Sequence, residues 1–425
     1  MTSRYIWLLR EVFKKVWVRV TGYTVFALFS VVLARLLSPY LPDAIALQIG
    51  EQTVGDMLSI LTSSMLAVTT FSLGIAVSAF AAATQSATPR ATTLLQQDRT
   101  TQNVLATFLG AFLFGLVGLI ALHAELYDAA GKVVMFLFTT AVIALVVVAL
   151  IRWISHLMTF GRMGDTLDRV EQAATTALTE RLENPYLGGR PLVGAVSDEC
   201  FHIASTETGY VQHIDMQKLQ KCADKADTEI YLRCLPGTFV HRGEVLISMD
   251  VKSVADDQVE AIQLAVTIGL CRTFEEDPRF GLIVLTEIAS KALSPAVNDV
   301  GTAIDVLGRL TRILSHWHER IDADIQFSRV LVPPITAHDA FEDAFRPIAR
   351  DGAGVVEVQI RLQKTLAALA QMVPGAFDLP AIKMAEDALA RARQSGCLPG
   401  ELALIQAAAS LVPQTIKSKH MHHKI

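Results

Sequence analysis

The residues able to react or to bind metal are scattered through this sequence rather than clustered. Five cysteines, Cys200, Cys222, Cys234, Cys271 and Cys397, form no Cys-x-x-Cys pair. Their odd number and loose spacing argue against a zinc ribbon or a disulfide framework and for reduced thiols. His316 and His318 are two apart, so on a helix their rings diverge and chelate poorly. His420, His422 and His423 lie in a polar tail, where solvation explains them. The acidic runs Asp256-Asp257 and Glu275-Glu276-Asp277 sit where helices begin or end, without the spacing of a calcium loop. No phosphate-binding glycine loop, zinc-protease helix or nucleophile elbow occurs. No metal, cofactor or catalytic residue is expected.

The polar residues that do stand out lie in apolar surroundings. Asp56, Ser59, Ser63, Ala67, Thr70, Gly74 and Ser78 recur at steps of three or four, which places them on one stripe of a helix. Leu58, Leu61, Met65, Val68, Leu73 and Ile75 make up the other side. Small residues let helices approach closely, and hydroxyls can bond across the contact. The same stripe, repeated around an oligomer axis, could line a wet pathway. Both readings stand. Asp56 fits either a pore mouth or the favourable start of a helix in interfacial water.

The elements that must carry this stripe are membrane spans. Of 425 residues, 52% are hydrophobic and 19% charged, against about 25% charged in an ordinary soluble domain. Mean hydropathy is +0.39. The formal charge of -5 gives no basic excess for a nucleic-acid partner. A bilayer core needs about 20 apolar residues in a helix, because backbone amides find no water in lipid. Residues 16–37, 54–83, 104–122 and 133–151 meet this, so the lipid bilayer is the expected partner. The first run has no signal-peptide cleavage site and reads as a retained anchor.

Positive charge alternates with the spans. Arg4, Arg10, Lys14 and Lys15 precede the first; residues 38–53 carry only Asp43 and Glu51. Arg90 and Arg99 follow the second, Glu125 and Asp128 the third, Arg152 and Arg162 the fourth. The positive-inside rule then puts both termini in the cytoplasm of a bacterial inner membrane. No Asp, Glu, Lys or Arg lies deep in a span, so a carboxylate ion relay is not expected.

The inner connection reads as a well-made turn. Pro89 should break the helix, Asp98 should cap the next one, and Arg99 should sit at headgroup level. Here the chain resembles the DUF2254 family of bacterial predicted membrane proteins. The resemblance rests on Gln85-Ser86-x-x-Pro89-Arg90, Asp98-Arg99-x-x-Gln102, Asp277-Pro278-x-Phe280-Gly281-Leu282 and Ala292-Leu293-Ser294-Pro295-Ala296-x-Asn298-Asp299-x-x-Thr302-Ala303. It runs from the first span to about residue 320. In the family the first piece usually reads Ser-Pro-Arg, whereas Ala87 and Thr88 intervene between Ser86 and Pro89 here. The resemblance implies four spans and a soluble C-terminal region, and it supplies no activity.

The expected class is therefore a mainly α membrane protein with an α+β cytosolic region. Residues 1–153 form the four-helix membrane domain and 154–189 a helical linker. Residues 190–250 form a small β-rich domain, 251–415 a mainly helical domain and 416–425 a polar tail. The spacing Gly237-x-Phe239-Val240-x-x-Gly243-x-x-Leu246 is similar to the turn of barrel-sandwich hybrids, but no carrier lysine is evident. Helices are expected at 259–274, 280–293 and 300–317. Pro295 should break the chain between the last two, and Asp299 should cap the second of them. Ser294, Asn298 and Asp299 form a polar motif that helix capping explains and that ligand or partner binding would also use. A homo-oligomeric conduit and a membrane-anchored scaffold or binding protein are the two functions left open. A pocket around Asn298 and Asp299 would be needed to raise an enzyme.

Overall fold

The computed structural model describes residues 18, 20–22, 25, 26, 28, 29, 32, 33 and 51–412, apart from 97, 198 and 319–323. The chain divides into two compact units between Thr166 and Leu167. Among the described residues three helices are long and apolar enough to cross a membrane, where the hydropathy pattern predicts four. The difference lies at residues 16–37, which fall mostly outside the described residues. Those described between 18 and 33 are helical. The polar tail, with His420, His422 and His423, also lies outside them.

In the membrane unit, α1 (Glu51–Ser86), α3 (Arg99–His123) and α4 (Ala129–Leu157) are the long helices, and α2 (Pro89–Gln96) is a short one between the first two. α1 and α3 meet along Leu58, Leu61 and Met65 of α1 and Phe108 and Phe114 of α3, all buried. Close approach comes from glycines on α3. A Cβ on Gly115 would overlap Thr62, and one on Gly118 would stand 2.7 Å from Met135 Cε on α4. α4 ends at Leu157, and Gly161, with φ of +76°, turns the chain before the next helix. The helical pattern expected to run on from residue 154 is broken there.

The C-terminal unit holds α5 (Met163–Glu183) from Leu167 onward. Strands β1 (Gly189–Pro191), β2 (Phe201–Ala204), β3 (Gly209–Ile214), β4 (Ile230–Leu232), β5 (Phe239–Val240) and β6 (Val245–Met249) follow, with α6 (Met216–Ala226) inserted after β3. Next come α7 (Asp256–Gln263), β7 (Val266–Gly269), α8 (Phe280–Ala292), α9 (Val300–Leu314) and β8 (Phe327–Val332). The last described elements are α10 (Ala337–Asp351), α11 (Val356–Met372), α12 (Asp378–Gln394) and α13 (Pro399–Ala409).

One sheet has the order β1-β8-β4-β6-β2 and the other β5-β3-β7. β8 runs parallel to both β1 and β4, and the remaining pairs are antiparallel. The sheets thus draw on residues beyond 190–250. Residues 266–269, expected within a helix at 259–274, pair with β3 instead. Gly237 and Gly243 take φ of +95° and +92°, as the turn spacing predicts, and Val240 and Leu246 are buried.

Two contacts fix α5 within this unit. Arg309 on α9 is buried and reaches Asp168 at 2.6 Å and Glu171 at 2.7 Å, and Asp305 on its own helix at 2.9 Å. Gly281 on α8 meets Ala174, leaving no room for a Cβ. The helical part closes over Phe341, Phe345 and Phe377, whose rings lie 4.8–5.3 Å apart.

Candidate functional site

The stripe on α1 is exposed along its whole length: Asp56, Ser59, Ser63, Ala67, Thr70, Gly74 and Ser78 all face away from α3 and α4. At about 100° per residue, large apolar groups flank it. Ile60 and Phe71 stand on one side, and Leu66, Leu73 and Val77 on the other, all exposed. The hydroxyls bond back into their own helix: Ser63 to Ser59 O at 2.9 Å, Thr70 to Leu66 O at 2.9 Å and Ser78 to Gly74 O at 3.0 Å. A Cβ on Gly74 would meet nothing within 4 Å. The small residues of this stripe therefore make no close helix contact among the described residues; Gly115 and Gly118 do that work on α3, a signal present in its Gly110-x-x-x-x-Gly115-x-x-Gly118 spacing.

The inner connection is built from caps. The Thr88 hydroxyl accepts from Ala91 N at 3.3 Å, and Pro89 opens α2, where a missing N–H costs nothing. Leu95 is fully buried with Ala83 and Phe160. Asp98 accepts from Thr101 N at 2.6 Å, which caps α3, and lies 2.9 Å from His156 Nε2 near the end of α4. Gln102 donates to Gln96 O at 3.0 Å, while Arg90 and Arg99 are exposed. Asp98→Ala should therefore cost about 2 kcal/mol of membrane-unit stability, at the upper end for a lost cap. Asp98→Asn, which still caps, should recover most of it. Thermal inactivation in detergent measures this, and equal midpoints for wild type and Asp98→Ala would refute the assignment.

Ser294, Asn298 and Asp299 form a surface turn. Ser294 Oγ donates to Lys291 O at 2.7 Å, and Asn298 sits at φ of +50°. Asp299 accepts from the Thr302 hydroxyl at 2.6 Å and amide at 3.0 Å, which caps α9 and holds its carboxyl below the usual range. Asn298 and Asp299 are exposed.

The site that sequence reasoning did not find lies in the C-terminal unit. A cavity of about 330 Å³ is lined by Arg181, Arg233, Arg272 and Arg279, together with Asp277 and Asp339. It opens beyond the carboxyl ends of the parallel neighbours β4 and β8, whose next residues, Arg233 and Pro333, are part of its wall. Asp277 is 2% exposed and saturated. It accepts from Arg272 Nε at 2.6 Å and Nη2 at 2.9 Å, and from the amides of Arg279 and Phe280, each at 3.1 Å. Gly237 must lack a Cβ because Asp277 occupies that space. Arg279 is held by Asp343 at 2.5 Å and Asp339 at 3.4 Å.

Arg181 is different. It is 4% exposed, donates from Nη2 to Glu276 O at 3.2 Å, and its Nη1 has no hydrogen-bond partner. Burial pushes its guanidinium down to about 10, against the pull of Glu276 and Asp277. Cys234, also in the wall, is pushed up to about 12 by burial and is inert as a nucleophile. The four arginines come from positions 181 to 279, so no local spacing announces the cluster.

Comparison with known proteins gives relatives without an assigned activity. Uncharacterized proteins of Mycobacterium bovis and Mycobacterium tuberculosis are each 27% identical over 231 residues, which cover 52% of this chain and 44% of theirs. The chain thus matches less than half the length of these relatives. No solved structure matches it. The family described as predicted membrane protein (DUF2254) matches residues 14–368. With that extent of agreement, and with three apolar helices ahead of a mixed C-terminal unit, the chain belongs to the DUF2254 family of predicted membrane proteins.

Proposed function

We propose that copies of this chain assemble around a shared axis in the bacterial plasma membrane and line a conduit with the hydroxyl stripe of α1. The observation that carries this reading is that, among the described residues, all seven stripe residues are exposed at the centre of one face of α1. A helix that meets only lipid gains most from large apolar side chains at the centre of its exposed arc. Here the centre is small and polar, and the large apolar groups stand at its edges. Back-bonded hydroxyls tolerate lipid, but each keeps acceptor capacity that water or a neighbouring helix would use.

The occupant proposed for this face is a second copy. Where residues 18–33 are described, Phe26 packs edge-on against Phe138 of α4, with ring centroids 6.2 Å apart. Among the described residues, a crevice between Phe26, α3 and α4 measures about 30 Å³, room for no more than a water or two. In this reading the C-terminal unit and both termini are cytoplasmic. Support comes from Arg90, Arg99, Arg152 and Arg162 at one end of the spans and Glu125 and Asp128 at the other, where His123 and Lys132 are the basic residues near the acidic turn.

Native mass in nanodiscs and planar-bilayer recording test the proposal together. A multimer with conductance is expected. Ser63→Leu with Thr70→Leu should cut that conductance roughly tenfold or more, because apolar constrictions dewet. A monomer, or conductance indifferent to both substitutions, would overturn it. A multimer that never conducts would leave the membrane unit as an oligomeric tether and would refute the conduit.

A further inference from the structure

We infer that the arginine-lined cavity of the C-terminal unit binds a phosphate-type anion. The argument is independent of assembly in the membrane and rests on donors left over once every carboxylate has been assigned. Asp277 takes Arg272 in a two-pronged grip, and Asp339 and Asp343 take Arg279. Glu276, behind the wall, is engaged by His213 at 2.5 Å. Two guanidiniums remain. Arg181 is nine-tenths buried with Nη1 unpaired, and Arg233 is exposed and makes no ion pair among the described residues.

A buried guanidinium nitrogen without an acceptor is costly, and folding retains such a group where a ligand completes it. Planar guanidinium forks match the oxygens of phosphate, and several forks converging on one cavity favour a tetrahedral oxyanion over a flat carboxylate. α8 and α10 both begin at the cavity edge, but Asp277 already takes the first amides of α8 and Asp339 stands in the first turn of α10, so the attraction rests on the guanidiniums. The position outside the carboxyl ends of parallel strands is where open sheets with crossover helices take their ligands. The cavity is also larger than a bare phosphate requires. Leu235, Pro333, Pro334 and Ile335 offer an apolar wall for the remainder of a small phosphorylated molecule or a lipid headgroup.

Isothermal titration of the full chain in zwitterionic phosphatidylcholine nanodiscs tests this, with inorganic phosphate and glycerol 3-phosphate as probes and succinate at equal ionic strength as the comparison. Saturable binding of phosphate is expected. Arg233→Gln should weaken it about tenfold, and Arg181→Lys by at least as much, since a point charge does not replace a fork. Arg233 is exposed, so its variant keeps the test valid even if Arg181→Lys fails to fold. A second arm replaces part of the lipid with phosphatidic acid. Thermal stabilisation by that lipid, lost in Arg233→Gln and without response to soluble phosphate, would support the anion site and assign the headgroup as its source. Binding in neither arm, binding indifferent to both variants, or succinate binding as tightly as phosphate would overturn the inference.

Discussion

Asp277→Ala should lower the stability of the C-terminal unit by about 3–5 kcal/mol, the range for removing one partner of a buried, hydrogen-bonded ion pair. The size follows from what the carboxylate holds. Arg272, with 19% of its side chain exposed, loses both prongs of its grip and stays half-desolvated beside Phe280, 5.4 Å below its guanidinium. The first amides of α8 lose their acceptor. Arg181, already pushed down by burial, loses one of the two carboxylates that support its charge. Asp277→Asn separates the contributions. The amide oxygen can still receive the helix amides, so only the charged part is lost, and about half the effect should remain. Pulse proteolysis of the full chain in detergent reads the unit's stability without requiring the membrane helices to unfold. Equal cleavage of wild type and Asp277→Ala would contradict the assignment.

What the sequence discloses here is what is decided locally. The spans are legible because lipid demands a long apolar helix whatever its neighbours are, and α1, α3 and α4 contain the stretches predicted for them. The caps at Asp98 and Asp299 are legible because a cap acts across three residues. β7 is not. Val266 falls four residues after Ile262 and so fits the apolar period of the preceding helix, and only pairing with β3 makes 266–269 strand. α6, inside the stretch that reads as β-rich, has a local signal: Asp215 caps it, and Met216, Leu219 and Ala223 are buried at helical steps. The stripe on α1 is visible as a pattern, but which face meets a neighbour depends on Gly115 and Gly118 of another helix. The arginine cavity lies furthest from sequence reading. Its wall is drawn from the end of α5, the turn after β4, the approach to α8 and the segment after β8, and only the fold brings these together.

The same dependence on the fold gives the second large effect, at the contact between α8 and α5. Gly281→Leu should destabilise the C-terminal unit by about 3 kcal/mol or more, at the top of the range for overpacking. A Cβ at this position overlaps that of Ala174 and stands 2.8 Å from its Cα, so two backbones must part rather than one side chain turn. Neighbours on α8 cannot absorb the shift, because Phe280, Leu282, Val284 and Leu285 are all buried. Gly281→Ala is the sharper probe. Helix propensity alone would make it stabilising by about 1 kcal/mol, so any loss measures the clash. Ala174→Gly removes the obstructing methyl. The double variant should therefore be more stable than the sum of the two single changes by at least about 1 kcal/mol, the size of coupling expected for residues in contact. Strict additivity would show that α5 and α8 are not in the contact described. Because Arg181 lies seven residues beyond Ala174 on the same helix, about two turns away, parting α5 from α8 also moves its guanidinium. Gly281→Leu should then lose phosphate binding together with stability, whereas Arg233→Gln should lose binding alone.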